Sequence, residues 1–183
     1  MKYFCAAPWT HTYVSPQGER RLCCASREEA SFQKQYIDSG TAEGKFEPVS
    51  LEEHWNSNYM KDIRKRMLNG EKLSQCDVCN DQILNLHTYR KYFTETLFPH
   101  KVDDLVANTK EDGHYDPMPI SYDYRISNLC NFKCRMCGEQ LSSSWETEKK
   151  KYDLIDVKQE PWLEPNTRKS ISKFQVEVLE EEL

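Results

Sequence analysis

Residues that favour strands, on either side of a polar turn, predict a β-hairpin close to the start of the chain. The stretch WTHTYV, residues 9–14, is rich in side chains that favour strands, and ERRLCC, residues 19–24, can return beside it. The four residues between them, SPQG at 15–18, contain the Pro and Gly that are typical of tight turns. The pattern therefore predicts two antiparallel strands joined by a turn.

Helical periodicity follows the hairpin. Ser50 and Glu53 have the spacing of a capping box, which predicts a short helix over 51–55. Apolar residues between positions 60 and 68 then recur at i, i+3, i+7 and i+8, the spacing of one helix face. The Asn-Gly pair at 69–70 is typical of a helix end. We therefore expect a second helix that begins near residue 56 or 57.

The middle of the chain predicts less regular structure. A third helix is expected over 83–98, ending before Pro99. The stretch VDDLVANTKEDGHYDPMP, residues 102–119, is polar, contains Gly and Pro, and has no sustained period. It is interpreted as a linker or a surface loop.

A strand and two helices are predicted in the last third of the chain. Residues 120–127, ISYDYRIS, alternate between apolar and polar, which is the pattern of a strand. A helix is expected from about Ser142 to Lys151, with a serine as its N-cap. Apolar residues at i, i+3 and i+7 predict another helix over 174–183: Val176, Leu179 and Leu183.

Composition and charge exclude several classes of partner. The 183 residues carry a net charge of −5, which argues against general binding to a phosphate backbone. No apolar stretch approaches the ~20 residues that cross a bilayer, and the start of the chain lacks the apolar core of a signal peptide. We expect a cytoplasmic protein with neither nucleic acid nor membrane as a partner.

In the reducing cytoplasm, the eight cysteines are expected to be metal ligands or catalytic groups rather than disulfides. They fall into two groups, one in the first 80 residues and one in the last 60. The first group is Cys5, Cys23, Cys24, Cys76 and Cys79, and the second is Cys130, Cys134 and Cys137.

The second group has the spacing C-x3-C-x2-C, directly after the predicted strand. Thiolates are soft ligands that suit zinc and iron–sulfur clusters. Three of them on a four-iron cluster leave one iron open to bind a substrate or cofactor, which a closed four-thiolate site cannot do. The alternatives are a zinc site that borrows a fourth ligand and thiols that pack in a core.

A strand followed by C-x3-C-x2-C and a helix resembles the signature of the radical S-adenosylmethionine (SAM) superfamily. The resemblance implies that Cys130, Cys134 and Cys137 hold a 4Fe–4S cluster whose open iron chelates SAM. Reductive cleavage of SAM then gives a 5′-deoxyadenosyl radical, which abstracts hydrogen from the substrate. It also implies that Met136 lies near the adenine and that Gly138 permits close approach of the backbone, so both are candidate cofactor-binding residues.

The first group has the pattern C-x12-G-x4-C followed by C-x2-C, which resembles the Twitch domain, the shorter relative of the SPASM domain. By this resemblance Cys5, Cys23, Cys76 and Cys79 hold one auxiliary iron–sulfur cluster. Four thiolates also make a tetrahedral zinc site, so zinc remains the alternative. Strand alternation turns Cys24 away from Cys23, so Cys24 is expected to be a buried apolar side chain.

Four polar residues are weaker candidates. His11 and His54 could each replace a cysteine ligand, although an ordinary strand or helix histidine is the simpler interpretation. Asp123 could act as a general base, but no partner for it is visible in the sequence. Asn128 either orients the cysteine loop or is a turn residue. We assign no catalytic residue.

The predicted fold is a small α+β cluster-binding domain with a hairpin and helices, followed by the first β/α unit of a partial TIM-type α/β barrel. The expected domains are a Twitch/SPASM-like domain at 1–100, a linker at 101–117 and the start of a radical SAM core at 118–183. A six-unit partial barrel needs roughly 190 residues, so the resemblance implies a barrel that is incomplete in this chain.

The resemblance implies an enzyme lineage that cannot complete a normal turnover alone. The implied partners are a peptide substrate, a separate chain that supplies the rest of the barrel, and a reductant such as flavodoxin or ferredoxin. The alternatives are an iron–sulfur electron carrier without catalysis and a zinc-stabilised interaction module.

Overall fold

The computed structural model describes residues 2–27, 36–37, 45–46, 49–82, 88–155, 160–177 and 179–182. The chain forms two compact units, each built from three separate stretches. Unit 1 comprises Met1–Tyr13, Arg21–Glu28 and Ser50–Asp123. Unit 2 comprises Val14–Arg20, Glu29–Val49 and Tyr124–Leu183.

The described strands form two sheets. They are β1 (His11–Val14), β2 (Arg20–Arg21), β3 (Tyr36–Ile37), β4 (Lys45–Phe46) and β5 (Ser121–Tyr124). The first sheet has the order β2-β1-β5, and β3 pairs with β4 in an antiparallel ribbon.

The three-stranded sheet is mixed. The amide of Ile120 donates to the carbonyl of Thr10, and the amide of Arg125 donates to the carbonyl of Val14, both at 3.0 Å. Residue numbers rise together along the two segments, so β5 runs parallel to β1.

The predicted hairpin is confirmed. β1 and β2 are joined by a turn in which the amide of Gly18 donates to the carbonyl of Ser15 at 2.9 Å. Gly18 has φ of 77°, a conformation that costs glycine little because it has no Cβ. The amide of Ser15 then bonds the carbonyl of Glu19 at 2.9 Å and closes the hairpin.

Short helices dominate both units. Those of unit 1 are Ala7–Thr10, Leu51–Trp55, Asn58–Leu68, Asp77–Asn80, Tyr89–Lys91 and Val102–Ala107, with a π-helix at Tyr92–Leu97 and 3-10 turns at Ser74–Cys76 and Pro99–Lys101. Those of unit 2 are Ser143–Lys151, Pro165–Glu177 and Leu179–Glu182, with a 3-10 turn at Pro161–Leu163.

The capping box and the second helix are confirmed. The side-chain oxygen of Ser50 accepts from the amide of Glu53 at 3.2 Å, and the Glu53 carboxylate accepts from the amide of Ser50 at 3.0 Å. Along Asn58–Leu68 the predicted apolar face is buried. Its central members are Met60, Ile63 and Met67, each at most 1% exposed.

The third helix differs from its prediction. Residues 83–87 lie outside the described residues. The described part begins at Tyr89, changes to a π-helix at Tyr92 and ends at Leu97, and a separate 3-10 turn starts at Pro99. The predicted end before Pro99 is therefore confirmed, and Pro99 opens the next turn, a position where proline is well tolerated.

The stretch 102–119 is not a simple surface loop. It contains the helix Val102–Ala107, and Leu105 and Tyr115 are buried in the core of unit 1. The helix is too short to show a sustained period, which explains why the sequence pattern missed it. The predicted domain boundaries stay a prediction.

Each unit has its own apolar core. The core of unit 1 is built around two buried tryptophans, Trp9 and Trp55, which pack with Ile63, Met67 and Leu73. The core of unit 2 comprises Val14, Trp162, Leu163, Ile171, Phe174 and Leu179. The described residues thus form a small mixed α/β structure, and the TIM-type barrel unit stays a prediction.

The tail prediction was correct in type and wrong in extent. The helix Pro165–Glu177 begins nine residues before the predicted start at Phe174, and a second short helix follows. Phe174 and Leu179 are buried, whereas Val176 is exposed. Among the described residues, the structure has no helix with the length and apolar character needed to span a membrane.

Candidate iron–sulfur sites

Four cysteines that are far apart in the sequence line one small cavity in unit 1. They are Cys5, Cys23, Cys76 and Cys79. All four are free thiols; Cys5 is buried and the other three are half-buried. Much of the remaining wall is apolar, including Ala7, Leu22 and Val78.

Cys5 and Cys23 are held by the backbone around them. The amide of Ala6 donates to the Thr94 hydroxyl at 3.0 Å, which fixes the chain beside Cys5. The hydroxyl of Ser26 donates to the carbonyl of Cys23 at 2.8 Å and closes the turn that follows β2. The backbone amides of Ala7 and Ala25 lie near the sulfurs of Cys5 and Cys23, where they lower the pKa of each thiol against the larger effect of burial.

Cys76 and Cys79 lie on two consecutive turns. The 3-10 turn Ser74–Cys76 places Cys76, and the helix Asp77–Asn80 places Cys79. The side chain of Asn80 ties the turns together by donating to the carbonyl of Leu73 at 2.9 Å. These bonds hold the C-x2-C segment in a defined local geometry.

A backbone hydrogen bond joins the two halves of the cavity wall. The amide of Arg27 donates to the carbonyl of Gln75 at 3.1 Å. The turn that carries Cys23 is thereby fastened to the segment that carries Cys76.

Burial makes the bare thiolates unfavourable. It raises the pKa of Cys5 to about 12, with a further increase from the neighbouring Cys76 and Cys79. Burial, and then Cys5 as a neighbour, also raises the pKa of Cys23 well above its usual range. A bound metal would have to displace these protons, so loading is coupled to deprotonation.

The four thiols that line this cavity are a donor set that fits an iron–sulfur cluster. Four thiolates can also hold one tetrahedral zinc ion, at about 2.3 Å from each sulfur.

The three remaining predicted ligands lie on one loop of unit 2. Cys134 is exposed, and Cys130 and Cys137 are half-buried. The loop closes between two of them, where the amide of Cys137 donates to the carbonyl of Cys134 at 3.0 Å. The indole N–H of Trp145 donates to the same carbonyl at 3.0 Å.

This loop is fastened to the first turn of the helix Ser143–Lys151. The hydroxyls of Ser143 and Ser144 donate to the carbonyl of Cys130 at 3.1 and 3.0 Å. The hydroxyl of Ser142 donates to the carbonyl of Phe132 at 2.6 Å while it caps the helix. The backbone of the loop is therefore anchored, whereas its apolar side chains are not covered.

The two candidate cofactor-binding residues lie on the open side of that loop. Met136 is 91% exposed. At Gly138 an added Cβ would meet the side-chain Oε1 of Gln140 at 2.7 Å, which is the movable end of a flexible side chain. The exposure of Met136 leaves room for a ligand at this loop, but the contact at Gly138 does not by itself require glycine there.

Sequence reasoning missed a buried carboxylate that supports the loop. The side chain of Asn128 donates to the carbonyl of Glu139 and to the Glu146 carboxylate, both at 3.0 Å. Burial opposes ionisation of Glu146, but its partners Lys150, Arg168 and Asn128 outweigh burial and lower its pKa. The only sequence signal for Glu146 was its i, i+4 spacing to Lys150.

The interpretation of Cys24 requires correction. Cys24 is half-buried rather than buried, because β2 ends at Arg21 and the alternation of a strand no longer applies. It adjoins Cys23 and raises the pKa of that thiol, but it is not part of the cavity wall.

The two histidine candidates lie outside the wall of the thiol cavity. His11 is buried with its Nδ1 at 3.0 Å from the Ser121 hydroxyl and its ring 4.7 Å from the Phe93 ring. His54 is buried on the helix Leu51–Trp55. Neither lines the thiol cavity, which agrees with their interpretation as ordinary structural histidines.

Comparison with known families supports the interpretation of unit 1. Residues 5–80 match the family model of the SPASM domain, an iron–sulfur cluster-binding domain. The match spans all four cysteines of the cavity and indicates that this part of the chain binds an iron–sulfur cluster. No curated protein and no solved structure matches the chain.

Proposed function

We propose that the chain is a two-cluster protein of radical SAM type. Its auxiliary 4Fe–4S cluster would be held by Cys5, Cys23, Cys76 and Cys79. A second cluster would be held by Cys130, Cys134 and Cys137 and would leave one iron open for SAM. The convergence of four distant thiols on one cavity, within the segment that matches the SPASM domain, carries this proposal.

The first site is supported by its donor set. Four free thiols with backbone N–H donors near two of the sulfurs match the way proteins hold and tune iron–sulfur clusters. Wall residues such as Ala7 and Leu22 keep the cavity apolar, which favours a tightly held cluster with restricted access to water. Zinc at this site is the alternative that metal analysis would reveal.

The second site is supported by the way the loop is built. Its backbone is anchored by Ser143 and Ser144, while Cys134 and Met136 face solvent. A cluster on such a loop would remain accessible to a cofactor from outside. When bound, the pair of cluster and SAM would supply a 5′-deoxyadenosyl radical for hydrogen abstraction.

The residues of this chain would bind and orient the cofactor. Met136 would cover the adenine, and Gly138 would let the backbone approach the cofactor closely. Asn128 would hold the loop in register through its bonds to Glu139 and Glu146.

The partners follow from this proposal. Ile126, Leu129 and Phe132 are large apolar residues exposed on the cysteine loop. We propose that a separate chain carrying the rest of the barrel covers them, in the cytoplasm, and that flavodoxin or ferredoxin supplies the electron. A peptide is the proposed substrate.

The proposal is tested by electron paramagnetic resonance (EPR) of the reduced protein, reconstituted without air, with and without SAM. A cluster signal that changes on adding SAM, and that disappears in Cys134→Ser, is the expected result. A signal that ignores SAM would reduce the chain to an electron carrier. Zinc in place of iron would make it an interaction module.

A further inference from the structure

A single arginine forms part of the wall around the four thiols. Arg90 lies on the short helix Tyr89–Lys91, which is capped by the Thr88 hydroxyl accepting from the amide of Lys91 at 3.2 Å. It lines the same cavity as Cys5, Cys23, Cys76 and Cys79.

The guanidinium of Arg90 is held by neutral groups. One Nη donates to the side-chain oxygen of Asn80 at 2.5 Å, and the guanidinium carbon lies 5.7 Å from the centre of the Tyr3 ring. No carboxylate among the described residues forms an ion pair with Arg90. Asn80 is the neighbour of Cys79, so the hydrogen bond also links Arg90 to the C-x2-C segment.

One buried donor of Arg90, its Nε, has no hydrogen-bond partner among the described residues. A buried donor without a partner costs free energy, and the cost is higher for a charged group. A positive charge with an unused donor, at the wall of a cavity lined by thiols, has the chemistry to bind a negatively charged group there.

A thiolate-bound cluster is such a negatively charged group. Four thiolates give such a cluster a net negative charge, and reduction by one electron makes it more negative. A nearby cation stabilises the reduced form more than the oxidised form, and it does so strongly where water is restricted.

We propose that Arg90 is a tuning residue for the auxiliary cluster, directing its guanidinium and its Nε–H at the cluster and raising the cluster's reduction potential. The inference rests on the proposed function of the four-cysteine site. It adds a residue outside the ligand set, and it assigns that residue an electrostatic role that can be measured separately from assembly.

The test is a potentiometric titration followed by EPR. The parent protein carries Cys130→Ser, Cys134→Ser and Cys137→Ser, so that only the auxiliary site can hold a cluster. Arg90→Met removes the charge, and Arg90→Lys keeps the charge without the Nε donor. Arg66→Met is the matched control, because Arg66 is a solvent-facing arginine of unit 1 paired with Asp62 and Glu71.

Arg90→Met should lower the equilibrium constant for cluster reduction at least tenfold, which is about 59 mV for one electron. Arg90→Lys should give a smaller shift in the same direction, and Arg66→Met should leave the potential unchanged. A purely structural role would reduce cluster occupancy in Arg90→Met without moving the potential, and that result would overturn the inference.

Assembly failures have defined meanings. If Arg90→Met assembles no cluster, the test rests on Arg90→Lys. We then expect Arg90→Lys to lower the equilibrium constant for cluster reduction threefold or more, and an unchanged potential overturns the inference. If the parent assembles a cluster and both Arg90 variants keep its reduction potential, the role of Arg90 is overturned but the proposed function is not. A parent that assembles no cluster overturns the proposed function, and the role of Arg90 with it.

Discussion

At the scale of single residues, the surroundings of the thiols distinguish the proposed ligands from Cys24. Cys5 and Cys23 lie in the cavity wall with raised pKa values, and neither would ionise near neutral pH without a metal. Cys24 directly follows Cys23 in the sequence but is not part of that wall. Replacing a cysteine of the cavity wall should therefore affect iron binding far more than replacing Cys24.

Cys76→Ser and Cys24→Ser make this difference measurable. Replacing Cys76 removes one of four thiolates, so we expect the auxiliary site to lose most of its iron. Replacing Cys24 should leave iron content unchanged. Iron and acid-labile sulfide are measured on both variants in the protein that lacks the three loop cysteines. Equal iron loss in the two variants would remove the distinction between ligand and bystander.

His11 gives a second prediction at this scale. Burial lowers the pKa of His11 to about 4, although Asp123 and Ser121 act in the opposite direction. As pH falls below about 6.5, His11 binds a proton in the unfolded chain but not yet in the folded one. Protonation therefore lowers the unfolding free energy as pH falls from about 6.5 to 4.

The titration of the His11 ring by NMR should therefore give a midpoint near pH 4. In His11→Gln, the unfolding free energy should fall less steeply over the same pH range. A midpoint near pH 6.5 in the folded protein would contradict the burial of this ring.

At the scale of elements, those that depend on local interactions were predictable from the sequence. The capping box at Ser50 and the turn at Gly18 each depend on a few consecutive residues, so their motifs predicted them correctly. Helix extents were less predictable. The helix Pro165–Glu177 begins before its predicted start. Its earlier part is stabilised by the packing of Ile171 in the core of unit 2, which the apolar spacing of the tail does not reveal.

The cap of the helix Ser143–Lys151 is tested by Ser142→Ala. The Ser142 hydroxyl accepts from the amide of Trp145 and donates to the carbonyl of Phe132, so it serves both the helix and the cysteine loop. Its loss should lower the unfolding free energy by about 1–2 kcal/mol.

Ser170→Ala is the control for Ser142→Ala. Ser170 is exposed, and its hydroxyl donates only to the carbonyl of Asn166 within its own helix. Its loss should change stability by less than about 0.5 kcal/mol in chemical denaturation. Equal effects of the two substitutions would contradict the role of Ser142 as a cap and a tether.

At the scale of the whole molecule, cysteine spacing predicted more of the candidate site than any single residue did. The paired motifs C-x12-G-x4-C and C-x2-C named four residues that the structure gathers around one cavity. Arg90 and Glu146 carry no such pattern, because each depends on residues brought near by folding. Leu105 and Tyr115 were missed for the same reason, since their burial is decided by the core of unit 1 and not by their neighbours in the sequence.

The central claim is that Cys5, Cys23, Cys76 and Cys79 together hold an iron–sulfur cluster. The most direct measurement is the iron, sulfide and zinc content of the protein that lacks the three loop cysteines, with its absorption and EPR spectra after reconstitution without air. We predict about four iron and four sulfide per chain, a brown protein and a signal that appears on reduction. One zinc per chain with no iron and no absorption near 400 nm would contradict the claim.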